Sequence, residues 1–480
     1  MLDGLEISNI KFSEIRNTLK FRFDSEYYKK AFITNSNIIK SIKHSNIGNE
    51  LDVLTDFHAN GSYEDISKHF KLLDCKDYAY MVRTTDLESE NYENDVKYVS
   101  KSCYEYLSKS KVYGGEVLIN KIGSPGLTYL MPHLNKPVSL GMNLFMLKMK
   151  QDSAIDNVTL YLYLNSKIGK SLITRDINGT VPLTIDKESI RSILVPVFTN
   201  TFKSYLSQIL NKREETFKLS NRYYTQAEEI LNKELNITKI ENTKTYSVRS
   251  FSTSYGKSKR LDSEYYQDKY DKLFPLIKNP EKLSNIVIIT KSIEPGSDEY
   301  KNEGVPFIRV SDLSKFGISD TNVYLDKTKY KSVIKPKKNS ILFSKDGSIG
   351  IAYKVEDDID AITSGALLHL TIRTHNVLPD YLTLVLNSSV VQLQAERDSG
   401  GSIIEHWRLS EIEDVLIPIL DYQIQSQISQ KVQQSFKLRK QSKELLEKAV
   451  KAVEIAIEQG EEKAISWLKE NTNEYFMNNE

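Results

Sequence analysis

The chain is written twice, and this constrains its fold more than any other feature. Phe23-Asp24-Ser25-Glu26-Tyr27-Tyr28 returns as Leu261-Asp262-Ser263-Glu264-Tyr265-Tyr266, 238 residues later. Met81-Val82-Arg83-Thr84-Thr85-Asp86-Leu87 returns as Phe307-Ile308-Arg309-Val310-Ser311-Asp312-Leu313, at an offset of 226. Val117–Gly126 returns as Ile341–Gly350 at an offset of 224. Leu164-Asn165-Ser166, Arg175-Asp176 and Ile193–Val197 return as Leu386-Asn387-Ser388, Arg397-Asp398 and Val415–Ile419, all at 222. Chance does not place so many matches in one order, and the shrinking offset asks only for small indels in loops. Two copies of one structural unit follow. Because the side chains differ, the copies are not interchangeable.

Each copy reads as short strands punctuated by turns. Gly304–Val310 is a turn entering a strand, and Ser340–Ser344 is a strand ending in the turn Asp346-Gly347-Ser348-Ile349-Gly350. Ala366–Ile372 reads as another strand and Asp380–Asn387 as a helix. Ser399-Gly400-Gly401-Ser402 reads as a flexible loop whose place in the first copy is taken by Asn178-Gly179-Thr180. A last strand carries Pro196 or Pro418, where proline ends the strand without obstructing the helix that follows.

That helix is long in both copies. Phe198–Asn236 contains neither Gly nor Pro, and its residues keep a seven-residue rhythm. Leu210, Phe217, Tyr224 and Leu231 form one row, with Leu206, Arg213, Ser220 and Ala227 beside it. From Leu420 to about Gln459 the pattern recurs 222 residues on, as Val432, Arg439, Leu446 and Val453 beside Ile428, Ser435, Ser442 and Ala449. A single such stretch would read as a surface helix on a globular core, whereas two with matching faces read as partners. Arg and Ser interrupt both seams, so neither helix is expected to be stable alone. The fold class expected is α+β: two repeated β-rich domains joined by two long antiparallel helices, a coiled-coil spacer. The expected limits are 1–198 and 238–420 for the domains, 199–237 for the central helix and 421–480 for the terminal helix and tail.

At 480 residues the chain is too long for one ordinary core. Hydrophobic residues make up 40% and charged residues 27%, as in a soluble globular protein. No run approaches the ~18 apolar residues of a membrane span. The acidic start, MLDGLEISNIKF, lacks an apolar region and does not read as a signal peptide. Two cysteines, Cys75 and Cys103, exclude a disulfide scaffold and a cysteine-based zinc site, in keeping with a reducing cytoplasm. A net charge of +1 does not suit a non-specific DNA binder acting alone. Binding DNA would need a locally basic face or a partner that supplies phosphate contacts.

This order of motifs resembles the specificity (S) subunits of type I restriction–modification systems. Leu261-Asp262-Ser263-Glu264-Tyr265-Tyr266, Glu303–Leu313, Asn339–Gly350, Ala395–Ser402 and Ile412–Leu420 carry the resemblance, which extends over nearly the whole chain. The first copy departs from it: Asp77-Tyr78-Ala79-Tyr80 stands where the second has Gly304-Val305-Pro306, and Pro125 replaces Ile349. The resemblance implies two target-recognition domains, at 1–198 and 238–420, that read the two parts of a bipartite site in double-stranded DNA. It further implies partners: two methyltransferase (M) subunits and a restriction (R) subunit, with no membrane. S-adenosylmethionine would then sit in the methyltransferase and no cofactor in this chain. The helices would set the unread interval: about 36 residues at ~1.5 Å each span about 54 Å. Allowing for overlap, that separates readers by about one DNA turn, ~34–36 Å.

Arginine bidentate on guanine, and short hydroxyls on any base, are the side chains such reading uses. The candidates are Arg83, Thr85, Lys121 and Ser124 in the first copy and Arg309, Ser311, Lys345, Asp346 and Ser348 in the second, all at strand ends and turns. The repeated Arg175 and Arg397, with Ser399 and His406 around the glycine loop, complete the set. The alternative for Arg309 is a local ion pair with Asp312, and for Trp407 a place in the core. Asp24 and Asp262 read as helix caps with the tyrosines packing inward. Lys335-Pro336-Lys337-Lys338 reads as a solvated basic turn. The outer helix faces carry Glu214, Glu215, Lys443, Glu447, Lys448 and Lys451, an expected contact for the methyltransferase.

Catalytic patterns fail one by one. Gly256-Lys257-Ser258 lacks the first glycine of a phosphate loop, Phe251 standing there. The Gly-Ser-x-Gly turns are not nucleophile elbows, since the glycine belongs two residues before the serine. The seven histidines have no metal-ligand spacing. Pro379-Asp380 opens like a nuclease motif without the lysine that should follow. The expectation is a non-catalytic subunit, the competing reading being a helical-hairpin adaptor that binds only proteins.

Overall fold

A computed structural model describes residues 6–477 except 17, 19–20, 94, 180–181, 238–239 and 400–404. Thr180 and the stretch Gly400–Ser402, expected to be loop, lie outside the described residues. The chain forms two compact units, residues 1–215 with 441–480, and residues 216–440.

The first unit centres on an antiparallel sheet in the order Leu51–Asp56, Leu144–Met149, Val117–Asn120, Thr128–Leu130. A second sheet runs Lys97–Val99, Ala79–Val82, Val138–Leu140, Lys111–Val112, its middle two strands parallel. Val117–Asn120 and Ala79–Val82 are buried on both faces, which explains why they read as unbroken apolar runs rather than alternating ones. The second unit repeats the plan. Val287–Lys291, Leu367–Ile372, Ile341–Ser344 and Ala352–Lys354 make the antiparallel sheet, and Val305–Ile308 again lies parallel to a short strand, Ile362–Thr363. The strands expected at Ser340–Ser344 and Ala366–Ile372 and the helix expected at Asp380–Asn387 are all present within a residue.

A helix pair covers each antiparallel sheet: Asn157–Asn165 with Lys167–Arg175, and Pro379–Asn387 with Ser389–Asp398. One asparagine per copy pins helix to sheet. Asn165 Nδ2 donates to Thr128 O at 3.1 Å, and Asn387 Nδ2 donates to Ala352 O at 2.7 Å, satisfying edge-strand carbonyls that would otherwise be buried without a donor. In the first unit the helices turn so tightly that a Cβ on Gly169 would sit 1.9 Å from Tyr163 O, which leaves glycine as the only residue that fits. The expected proline strands are present, and Leu194–Pro196 pairs with His44–Asn46 and Leu416–Pro418 with Pro280–Lys282.

Beyond each proline strand runs a long helix, Asn200–Leu235 and Tyr422–Gln459. Most of both rows expected at the seam is inside: Leu206, Leu210, Phe217, Tyr224, Ala227 and Leu231 on one helix, Ile428, Val432, Ala449 and Val453 on the other, whereas Leu446 is half-buried and Leu445 beside it is fully buried. The start of the central helix packs with the end of the terminal one in the first unit, where Ser442 Oγ donates to Arg213 O at 3.1 Å. The remaining halves pack in the second unit, where Asn221 bonds Arg439. The helices therefore run antiparallel. The interrupting residues are accommodated rather than solvated. Ser220, Ser435 and Ser442 are buried, Arg213 pairs with Glu90 of its own unit, and the Arg439 guanidinium lies 3.7 Å from the Phe316 ring centre and 4.7 Å from that of Phe217.

Within 421–480, expected as terminal helix and tail, the tail is itself helical. After Gly460, at φ +94°, the chain reverses into a further helix, Glu461–Met477, which buries Ala464, Leu468 and Tyr475 in the first unit's core. Glu461 accepts a bond from Thr199 N at 3.1 Å, just before the central helix. Lys448, expected on an outer face, instead donates to Asn471 O at 2.7 Å and Tyr475 Oη at 3.1 Å, and so lies against this helix.

Trp407 is 1% exposed and rests 5.8 Å from the Phe343 ring, so the core alternative for this residue is the observed one. Trp407→Ala is expected to destabilise the protein by about 3–5 kcal/mol in denaturant unfolding. Tyr246→Ala, at a side chain 75% exposed, is expected to change it by less than ~0.5 kcal/mol.

Candidate nucleic-acid interface

In each unit three separate backbone segments meet at one end of the antiparallel sheet, locked by the same hydrogen bonds. After Val117–Asn120, Lys121 N donates to Asn143 O at 2.8 Å, Gly123 N to Leu183 O at 3.2 Å, and Ile185 N returns a bond to Lys121 O at 3.1 Å. After Ile341–Ser344, Lys345 N donates to Ala366 O, Gly347 N to Glu405 O, and Trp407 N to Lys345 O, each at 2.9 Å. The turns close identically, Gly126 N on Asn120 O at 2.8 Å and Gly350 N on Ser344 O at 2.9 Å. Asn120 Nδ2 and Ser344 Oγ bond the carbonyls of Ser124 and Ser348 at 3.0 and 2.6 Å. Pro125 in place of Ile349 therefore leaves the turn unchanged.

Gly123 and Gly347 sit at φ +85° and +73°, where a side chain would be strained. A Cβ on either would meet nothing within 4 Å. Glycine here serves backbone conformation and leaves the outer edge of the turn bare. Ser124 and Ser348 project from it exposed, and Thr85 and Ser311 are exposed at the neighbouring strand ends. The rim thus presents hydroxyls on a fixed frame, twice.

Arg83 and Arg309 begin at that rim too. A buried aspartate orients each: Asp86 Oδ2 accepts Arg83 N at 2.9 Å and Asp312 Oδ2 accepts Arg309 N at 2.9 Å. Arg83 adds a close ion pair, Nη2 to Asp86 Oδ1 at 2.6 Å. The Arg309 Nε lies 3.6 Å from Asp312, beyond hydrogen-bond range, and its side chain is 42% exposed. The local ion pair weighed for Arg309 thus exists, as an orienting contact that leaves much of the guanidinium open.

The rim lysines turn inward. Lys121 Nζ donates to Asp56 Oδ2 at 2.8 Å and its side chain is 9% exposed, while Lys187 Nζ donates to Asp56 Oδ1 at 2.6 Å. Burial pushes the Asp56 carboxyl up, but the two lysine hydrogen bonds outweigh it and hold the carboxyl below the ordinary range. In the second unit Lys345 pairs with Asp346, whose other oxygen lies 2.9 Å from His406 Nδ1. Burial raises Asp346, and bonds from Lys345 and His406 again bring it below the ordinary value. His406 itself is 63% exposed.

Arg175 and Arg397 lie back from the rim against the repeated tyrosines. The Arg175 guanidinium is 3.8 Å from the Tyr27 ring centre, and that of Arg397 is 5.0 Å from Tyr265. A second arginine per copy, absent from the candidate set, completes each cluster. Arg22 and Arg260 lie 4.8 and 4.7 Å from the same rings and form forked pairs with Asp24 and Asp262. Arg22 Nη1 donates to Asn178 Oδ1 at 2.6 Å, and Arg260 Nη1 to Asp398 O at 2.9 Å. Both grip the start of the segment that returns to the rim, and in the second copy this is the segment opened by the half-buried Ser399. The signal was present: Arg-x-Asp precedes Ser-Glu-Tyr-Tyr in both copies, one residue upstream of the repeat as delimited. Asp24 caps the short Ser25–Tyr28 helix through Tyr27 N at 3.1 Å, as expected. Among the described residues no group of His, Cys, Asp and Glu could hold a metal ion, and no helix is long and apolar enough to cross a membrane.

Residues 279–448 match the family model described as "Type I restriction modification DNA specificity domain". No curated protein matches the chain. Among solved structures it is similar to the type I restriction–modification S subunit from M. genitalium, at 14% identity and TM-score 0.34, covering 88% of this chain and 95% of that one. It is also similar to the HsdS subunit from Thermoanaerobacter tengcongensis, at 12% identity and TM-score 0.28, covering 87% and 97% respectively. A third likeness is to a chain from a structure titled for the complex assembly and conformational transition of the type I R-M system, at 11% identity and TM-score 0.29, covering 87% and 98%.

Asp56→Asn leaves two lysines facing a neutral amide, so we expect a loss of about 3 kcal/mol in denaturant unfolding near neutral pH. The wild-type carboxyl titrates lower folded than unfolded, so its contribution is complete above pH ~4 and is lost as pH falls through the folded value. Asp56→Asn should flatten that part of the stability–pH curve.

Proposed function

We propose that this chain, whose residues 279–448 match the type I restriction modification DNA specificity domain, is the DNA-recognition subunit of a type I restriction–modification complex. The observation that carries the reading is the rim built twice on one hydrogen-bonded frame, with Ile122 and Thr184 bridged in one copy where Asp346 and His406 are bridged in the other. One frame fixes where a duplex would lie, and different side chains read different bases. Exposed hydroxyls at Thr85, Ser124, Ser311 and Ser348 suit contact with base edges, and Arg309 suits guanine. The bare glycine edges at Gly123 and Gly347 admit close approach of a phosphate.

No step of bond making or breaking is assigned to this chain. Methyl transfer belongs to methyltransferase subunits, which would bind S-adenosylmethionine, and cleavage to a restriction subunit. Two methyltransferase subunits suit a duplicated body, one for each half-site. The exposed Glu215, Lys443, Glu447 and Lys451 on the long helices are the surface we assign to them. All of this takes place in the cytoplasm, where the DNA is.

The test is a mixture of this chain, methyltransferase and a pool of random duplexes. Enrichment of a two-part motif with an unread interval is expected, and flat enrichment would leave a protein-only adaptor. Adding seven residues to both long helices is expected to lengthen the unread interval and leave both half-sites unchanged. An unaltered interval would refute the helices as its ruler.

A further inference from the structure

Asp56 pairs with Lys121 and Asp346 with Lys345, yet a chain of net charge +1 that binds DNA needs unpaired positive charge somewhere. It is found at the edge of the first unit's two sheets. A shallow, open depression of about 420 Å³ there includes Thr55, Lys109, Lys111, Tyr113, Glu116 and Lys148 in its lining. Lys109 and Lys148 are exposed, and Lys111 is half-buried with its Nζ 4.5 Å from the Tyr104 ring centre. Among the described residues none of these three lysines forms an ion pair with a carboxylate.

The one acid of the depression is turned away. Glu116 is 5% exposed, and its two oxygens accept Tyr113 N at 3.0 Å and Gly114 N at 2.7 Å. The backbone of the Tyr113–Gly115 turn therefore satisfies the carboxylate, and the lysine charges face solvent uncompensated. The depression also adjoins, along the chain, the residues that support the rim. Thr55 immediately precedes Asp56, the residue that holds Lys121 behind the glycine turn, and Lys109 N bonds Asn60 Oδ1 at 2.9 Å, just beyond Asp56–Phe57.

We propose that this depression is a phosphodiester-binding surface that seats the backbone of duplex DNA beside the first rim. Several ammonium groups spread over an open surface suit a row of phosphates better than one small anion, and a lysine acts as a point charge that need not read sequence. Tyr113, 72% exposed, borders the depression with an aromatic face able to pack on deoxyribose. The assignment rests on the DNA-recognition reading and adds where sequence-independent affinity comes from.

The experiment uses the full chain with its methyltransferase, on the duplex the wild type enriches and on a random duplex, over a KCl series. Each phosphate contact contributes about 0.9 to the slope of log K against log[salt], so K109Q/K148Q should lower the slope by about 2. Affinity should fall by the same factor on both duplexes, with the enriched motif unchanged. Lys111 is left in place because it packs on Tyr104, and an unchanged melting temperature shows that the variant folds. A wild-type slope in the variant overturns the proposal while leaving recognition intact. So does loss of methyltransferase binding at an unchanged slope, which would make this a protein contact. A wild type that enriches no motif overturns the recognition reading itself.

Discussion

Two main-chain bonds per copy carry the architecture of the rim. Gly123 N on Leu183 O and Gly347 N on Glu405 O tie a strand-end turn to a segment about sixty residues further along the chain, and the bonds from Ile185 and Trp407 return the tie. Backbone donors and acceptors do not depend on side-chain identity. The frame can therefore remain constant while the bridged pair Asp346 and His406 in one copy is replaced by Ile122 and Thr184 in the other. A recognition protein needs that separation, with geometry held by what every residue has in common and chemistry by what differs.

The charged residues divide along the same line. Most arginines and lysines that the repeat singles out do structural work: Lys121 is held in a buried pair, and Arg22, Arg175, Arg260 and Arg397 sandwich or flank tyrosines at the base of the returning segment. Each stack and fork has low cost because the guanidinium is planar and keeps its donors in bonds while its face lies on a ring. The rim that remains is nearly neutral and rich in hydroxyls. Such a surface reads bases only when something else brings the duplex close, either the uncompensated lysines of the first unit or a partner subunit.

Much of this was legible in the sequence. The heptad rows predicted the buried seam because a helix face repeats every 3.6 residues regardless of what it meets. The Gly-Ser-x-Gly turns were legible because only glycine takes their backbone angles without strain. The inward turn of Lys121 was not, because its partner Asp56 ends a strand 65 residues earlier in the chain and no local pattern links them. The helix Glu461–Met477 had a signal that went unused, a left-handed glycine at 460 followed by Glu461 and Glu462 in a first helical turn. Arg22 and Arg260 stand one residue upstream of the matched stretches that begin at Phe23 and Leu261.

The central claim is that each unit reads its own part of a divided DNA site through its own rim. It is tested most directly by selecting duplexes from a random pool with the methyltransferase complex carrying Arg309→Ala and Ser348→Ala in the second unit alone. The account predicts that one half of the motif relaxes while the other half and the interval between them stay as in the wild type. Relaxation of both halves together, or of neither, would contradict it.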